Sequence, residues 1–371
     1  MGENHLTYFK IQNFKRFDSF EMENIGQFNL IVGDNNVGKT SVLEGLLFEE
    51  NDPKFTFDRF FITLKENGRK ILTEEKYKKL SDKNPSTLWE LLSKKDEIEI
   101  DFSKKGKNEI NKVQYIHKRS SELTENERSI IEEKYRKPAI LFKDFWIQAS
   151  LNGNSLNISN NFFEEMEDNE DYKFCNSLVY FSTSQRGFSI SSTYQLFVDK
   201  NRNYREEFNK AFKIIVPNLD EIRPYFSDII EEPSIGIVLK NDPLTFPIEQ
   251  FGDGVLKIFR ILVSCFIAQN KRLLIDEIEA GIHFSRLKDF WKTVILLCKK
   301  YDVQLFATTH SLECQRYFVE AFSELEEEDR KNARNISLIE TPQGNVESVT
   351  YNFEQFELAL KVGANTRGGQ R

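Results

Sequence analysis

At 371 residues with a formal net charge of -8, the chain can bury one large core or two ordinary ones. It is too acidic to coat nucleic acid indiscriminately, because that affinity comes from neutralising many phosphates. Its four cysteines, Cys175, Cys265, Cys298 and Cys314, have no C-x2-C spacing, which argues against a zinc site or a disulfide framework; with no apolar leader, no myristoylation pattern and no apolar run of membrane-spanning length, a cytoplasmic protein with no membrane partner is expected.

Residues 1–50 hold three strand-like pieces, "LTYFKIQNF", "SFEM" and "FNLIVG". The last runs into a glycine-bounded loop and then into "TSVLEGLLF", which has helical apolar spacing. Gly33, Asp34, Asn35, Asn36, Val37, Gly38, Lys39 and Thr40 satisfy G-x4-G-K-[ST]. In such a loop backbone N–H groups cradle a phosphate and the following helix adds its N-terminal dipole. Lys39 would then reach the β- and γ-phosphates of a nucleotide, and Thr40 would ligate Mg²⁺. The plain alternative is a tight surface turn, but strand, glycine loop and helix in that order are what the chemistry needs.

From residue 51 to 95 the chain turns polar and lysine-rich, with Pro53 and Pro85, as expected of an insertion lying on the body. The segments "EIEIDFS", "KVQYIHK" and "ILFKDFWIQASL" alternate with period two, which suits an antiparallel sheet with one wet face. Lys94-Lys95, Lys104-Lys105-Lys107 and Lys112 with Lys118-Arg119 are candidate DNA contacts, and read most simply as a solvated face, as does the acidic run "FFEEMEDNEDY". "SLVYFSTSQ" is a buried-strand pattern. Residues 186–248 read as a helical arm, mainly helical from Asn203 to Asp228 and punctuated by Pro217 and Pro224. It ends in two strand signals around "IGIVL", then "IEQFGDGVLKIFRILVSCFIA", a glycine-flanked turn opening a long apolar helix.

"KRLLIDEIEAGIH" is an apolar strand ending in two carboxylates. Opposite a phosphate loop, Asp276 would hold Mg²⁺ through water and Glu277 would polarise the attacking water as general base. Alone, such a pair is common at strand ends. "VQLFATTHSLE" is a further buried strand ending at His310, which is either structural or, one strand beyond the carboxylates in a wound sheet, aimed toward a γ-phosphate. Residues 340–371 hold a strand pair, "IETPQGNVESVTYNF", and a tail, "GANTRGGQR".

Loop, carboxylate pair and strand-end histidine in this order, with "FKIQNFKRF" before them and "FGDGVLKIFRIL" between, resemble the ABC-type ATPases of the SMC, RecF and OLD group. The resemblance is nearest to OLD-like ATPases of bacterial phage defence and is firm at residues 7–50 and 175–315. It implies an α/β fold in one discontinuous domain, residues 1–371, with a mixed or antiparallel N-terminal sheet on a parallel P-loop core. It also implies ATP and Mg²⁺ as ligands, Gly33 to Thr40 as Walker A, Asp276 and Glu277 as Walker B, Glu279 to His283 as the D-loop and His310 as the switch histidine. Gln185 resembles the Q-loop residue, with Gln148 and Gln114 as alternatives, and Lys15 or Arg16 the basic residue near the nucleotide. Gly252, Asp253 and Gly254 stand where the signature carries a serine and paired glycines, so the serine hydroxyl is missing.

The same likeness implies a homo-oligomer closed around ATP. Too few residues follow His310 for the Toprim nuclease domain of OLD proteins, so the resemblance implies a separate effector, a Toprim-type nuclease, and no nuclease activity in this chain. A RecF-like DNA clamp and a non-hydrolysing ATP-bound scaffold are the competing readings. An SMC-type tether is not expected, since no heptad run fills the stretch between Thr40 and Asp276.

Overall fold

In the computed structural model, residues 2–48, 89, 92–107, 109–135, 145–159, 178–181, 190–227 and 230–363 are described. The chain opens with β1 (Leu6–Phe14), β2 (Phe17–Met22), β3 (Phe28–Gly33) and α1 (Lys39–Gly45). Then come β4 (Glu97–Lys104), β5 (Asn111–Arg119), α2 (Glu125–Tyr135), β6 (Phe145–Leu151), β7 (Asn154–Ser159) and β8 (Leu178–Phe181). A middle section follows of α3 (Ile190–Tyr194), α4 (Arg202–Lys213), β9 (Leu219–Ser227), β10 (Ile230–Leu239), β11 (Thr245–Pro247) and α5 (Asp253–Ile267). The last third runs through β12 (Arg272–Ile275), α6 (Phe284–Lys300), β13 (Gln304–Thr308), α7 (Leu312–Ser323), α8 (Glu327–Arg330), β14 (Ala333–Glu340), β15 (Val346–Asn352) and α9 (Phe353–Lys361).

These strands form three sheets. The N-terminal one has the order β2-β1-β4-β5-β6-β7 and is antiparallel throughout. Its alternation is visible in β4, where Ile98, Ile100 and Phe102 are buried between partly exposed Glu97, Glu99 and Asp101. The nucleotide-loop sheet has the order β15-β14-β3-β13-β12-β8, with parallel pairing everywhere except β14 to β15. Its central strands β3, β12 and β13 are buried at every residue, because both faces are covered. Leu30, Val32, Leu273, Ile275, Leu305 and Ala307 join one core with the helices, whereas Ile31, Leu274, Phe306, Ile336 and Leu338 join a second core with α1 and the N-terminal sheet. The parallel sheet is therefore the shared wall of both cores, and the loop after β3 is anchored from two sides. Among the described residues no helix is long and apolar enough to cross a membrane.

The helix-side core is rich in aromatic rings. Phe259 on α5 is fully buried, with its ring 4.9 Å from Phe208, 5.2 Å from Phe212 and 5.4 Å from Tyr194. Phe259→Ala should destabilise the protein by about 3–5 kcal/mol, read as a lower midpoint of denaturant unfolding at unchanged slope; a loss below about 1 kcal/mol would mean that the site collapses or is already loose.

Two sequence expectations need correction. The arm is helical only to Lys213; residues 219–247 form the three-stranded sheet β11-β10-β9. Pro217 ends the helical path, Leu219 and Ile222 bury the inner face of β9, and Pro224 is tolerated because β9 is an edge strand. The C-terminal strand pair begins earlier, at Ala333, and is followed by α9, opened by reciprocal bonds between Asn352 and Gln355 and held by buried Phe353 and Phe356. Of the insertion expected at 51–95 only Trp89 and residues 92–95 are described, with Trp89, Leu92 and Ser93 buried and Lys94 and Lys95 exposed; the rest of that expectation lies outside the described residues. The acidic run at 162–172 and Gln185 lie outside the described residues.

Candidate active site

The loop between β3 and α1 is shaped by two glycines that could not be replaced. Gly38 has φ +108, and a Cβ there would lie 2.8 Å from the Phe17 ring; Gly33 has φ +156, and a Cβ would lie 2.9 Å from the Leu338 carbonyl oxygen. Close packing of β2 and β14 against the loop thus fixes both ends of the turn, and Asn36 takes a left-handed φ of 63 between them. Arg16 reaches in from the β1–β2 turn, donating to the Asn36 carbonyl and pairing with Glu340 at 2.9 Å. Lys15 turns the other way, to Glu44, a carboxylate buried in α1. Of the two basic candidates it is Arg16 that touches the loop, and Lys15 instead neutralises the helix behind it.

Lys39 is 5% exposed, and its ammonium donates to the carbonyls of Gly33 (2.7 Å) and Asp34 (2.8 Å). Burial lowers its pKa to about 8, although Asp276 and Asp34 nearby favour the charged form. A buried cation whose hydrogen bonds go to neutral carbonyls fits an incoming anion: phosphate oxygens would give it charged acceptors in place of those carbonyls.

The carboxylates lie across from it at the carboxyl ends of the parallel strands. Asp276 accepts from Thr40 Oγ1 (3.0 Å) through Oδ2 and from Thr308 Oγ1 (2.7 Å) through Oδ1. Thr308 Oγ1 in turn accepts the Glu277 backbone N–H (2.8 Å). One hydroxyl at the end of β13 therefore orients both acidic residues. Glu277 has a left-handed φ of 47, an uncommon conformation for a non-glycine residue that costs on the order of 1 kcal/mol and persists only where surroundings enforce it. It projects a half-exposed carboxylate whose Oε1 is 3.8 Å from His310 Nε2. Glu279 accepts the backbone N–H groups of His310 (2.9 Å) and Ser311 (3.2 Å), setting the start of α7 against the turn after β12.

Gly252, with φ +86, and Asp253 are exposed at the start of α5. Gly254 is different, because a Cβ on it would come within 2.1 Å of the Gly281 carbonyl oxygen. The signature-like segment is therefore seated directly on the turn at residues 276–282. Lys257, one turn further along α5, is 8% exposed and donates to the Glu277 carbonyl at 2.6 Å; burial lowers its pKa to about 8.

The structure thus brings Gly33 to Thr40, Arg16, Asp276, Glu277 and His310 to one end of the parallel sheet. It does not bring the two alternative glutamines there. Gln114 lies on β5 and bonds Glu97 and Glu99 of the neighbouring strand, and Gln148 sits on β6 opposite Ile116. Sequence reasoning missed Thr308, Glu44 and Lys257. A signal was present for Lys257, a lysine inside the apolar helix "GVLKIFRILV", whereas nothing local marks Thr308 as a bridge.

The candidate DNA contacts are divided: Lys94, Lys95, Lys105, Lys107 and Arg119 are exposed, and three others are engaged within the protein. Lys104 is buried, Lys112 pairs with Glu99 at 2.7 Å and Lys118 with Glu127 at 2.6 Å.

Similarity to known proteins agrees with this geometry. An "ATP/GTP phosphatase" of Helicobacter pylori (strain ATCC 700392 / 26695) is 24% identical over 332 residues, which is 82% of this chain and 85% of the relative. Among solved structures, an SMC head bound to the C-winged helix domain of ScpA superposes with a TM-score of 0.52 at 12% identity, covering 95% of this chain and 99% of that one; at that identity the likeness shows the fold alone, an SMC-head-like α/β ATPase fold. The profile of the family described as "AAA domain, putative AbiEii toxin, Type IV TA system" matches residues 28–313, from the first residue of β3 to the start of α7. The chain belongs to that family.

Proposed function

We propose that this chain binds ATP with Mg²⁺ at Gly33 to Thr40 and hydrolyses it, closing as a dimer around the nucleotide and passing its nucleotide state to a separate effector, a nuclease, in bacterial anti-phage defence. The observation that carries the hydrolytic part is the chain of bonds from Thr40 through Asp276 and Thr308 to the Glu277 backbone. It holds a hard-oxygen pair, Thr40 and Asp276, beside a buried ammonium, with a second, more exposed carboxylate one residue on. Thr40 Oγ1 and Asp276 are the donors that would hold Mg²⁺, which when bound would neutralise charge on the phosphates. Lys39 binds the β- and γ-phosphates, and Glu277 accepts the proton of the attacking water. His310 lies at the edge of the same space, where an imidazole can stabilise charge developing on the transferred phosphoryl group.

The dimer part rests on the exposed start of the fifteen-residue helix α5 at Gly252 and Asp253; the Gly252 N–H donates to the Glu249 carbonyl, and the N–H groups of the first turn after it are those that can face a phosphate without the missing serine. The effector part rests on the sequence resemblance and on chemistry: Asp276 and Glu277 are committed to the nucleotide, so a second reaction in this chain would need other carboxylates. Purified chain should hydrolyse ATP with Mg²⁺ and leave DNA and RNA intact. Because the relative from Helicobacter pylori is named for both nucleotides, GTP belongs in the same assay. Absence of all turnover would replace this reading with the ATP-bound scaffold, DNA-stimulated turnover would replace the effector part with the RecF-like clamp, and nuclease activity lost in Glu277→Gln would make the chain a self-contained enzyme.

His310→Ala should lower kcat about tenfold to a hundredfold while ATP affinity changes less than threefold, since the imidazole matters most as charge develops in transfer. Equal losses in affinity and rate would make His310 a structural residue.

A further inference from the structure

We infer that Lys257 is a positioning residue that holds the Glu277 peptide in its left-handed conformation and thereby ties the general base to the signature-like helix; this deepens the hydrolytic reading above and rests on it. The Glu277 peptide is gripped at both ends. Its N–H donates to Thr308 Oγ1 (2.8 Å), and its carbonyl oxygen accepts both the Lys257 ammonium (2.6 Å) and the Ala280 N–H (3.0 Å). A φ of 47 is unfavourable for glutamate, so something outside the local chain must maintain it. The two grips come from different elements, β13 and α5.

The α5 grip is the one that can carry information. Thr308 belongs to the parallel sheet and is bonded to Asp276. Lys257 belongs to the helix whose first turn, Gly252 to Gly254, faces the dimer seam of the proposed assembly. Gly254 sits on Gly281 so closely that no Cβ could intervene, and Lys257 adds a charge-assisted bond next to that contact. The ammonium is buried near the Asp276, Glu277 and Glu279 carboxylates and the Cys314 thiol of α7. Burial makes the bond strong and its loss local, since the groups around Lys257 are those of the turn itself. A displacement of the start of α5, as when a second copy docks its nucleotide there, would therefore reach the backbone of the general base through two contacts.

The test compares Lys257→Met with wild type by three measurements: ATP affinity, steady-state kcat, and hydrogen exchange of the amides of Glu277, Ile278, Ala280 and Ile282, all bonded in the turn. Expected are ATP affinity within about twofold, kcat down at least about tenfold, and faster exchange confined to residues 276–282. Unchanged exchange there in a folded Lys257→Met protein overturns the inference, whether or not the protein turns over ATP. Wild type without turnover but with the exchange change sinks the hydrolytic reading alone. If Lys257→Met is recovered only unfolded, Lys257→Arg decides: kcat and turn protection should be kept or lost together, and a variant that loses protection while keeping full kcat overturns the link.

Discussion

Lys39→Ala is expected to lose ATP affinity by about a hundredfold or more while the protein stays folded. The ammonium is the buried cation aimed into the loop. It donates to two neutral carbonyls of that same loop, and each charge-assisted bond to a phosphate oxygen is worth about 1.5–3 kcal/mol. Losing more than one of these removes at least two decades of affinity, at about 1.4 kcal/mol per decade. Stability should hardly suffer. Burial disfavours the charged form, and the core beneath α1 is made by Val42, Leu43 and Leu46, which the substitution leaves in place. Direct titration of the purified variant with ATP and Mg²⁺, alongside a thermal melt, checks both halves. Near wild-type affinity in a folded variant would remove Gly33 to Thr40 from the nucleotide site, and with it the mechanism built on that loop.

Much of this site was legible in the sequence because strand-end motifs are local. A run of four to six apolar residues followed by a polar or glycine-rich turn is what a doubly covered parallel strand and its exit loop look like. β3, β12 and β13 each announce both the strand and the functional residues at its carboxyl end. What was not legible is non-local. β9 carries Pro224 and a charged outer face, which imitate a helical arm until its pairing with β10 is known. The helix α9 follows a strand without a break, and only the Asn352–Gln355 capping pair marks its start. The choice between Lys15 and Arg16 depended on Glu44, buried a helix away and indistinguishable in sequence from a solvent-facing glutamate. Thr308 and Lys257 act through backbone atoms of Glu277, and no spacing rule connects residues 20 or 31 positions apart in the chain through such atoms.

Glu277→Gln should leave ATP binding intact and reduce turnover by about a hundredfold to a thousandfold. The substitution keeps the volume of the side chain and leaves its backbone alone, so the bond its N–H donates to Thr308 Oγ1 and the bond its carbonyl accepts from Lys257 survive, and with them the orientation of Asp276. What disappears is the ability of a half-exposed carboxylate to take a proton from water, a contribution of about 10²–10⁴ in rate for general bases. Because the loss falls on the chemical step, affinity for ATP should stay within about threefold, and the ATP-bound form should accumulate where the wild type turns it over. If two copies close on ATP, the variant should then run as a dimer in size-exclusion chromatography with ATP and Mg²⁺ and as a monomer without them, whereas Lys39→Ala should be monomeric in both. A partner that reads the nucleotide state must contact the two states with different free energy, so pull-downs with Glu277→Gln should be enriched for the effector relative to Lys39→Ala, or depleted of it if the effector is released by ATP. Equal recovery with both variants would leave an ATPase whose cycle is not coupled to that protein, and full hydrolysis by Glu277→Gln would move the general base to another residue.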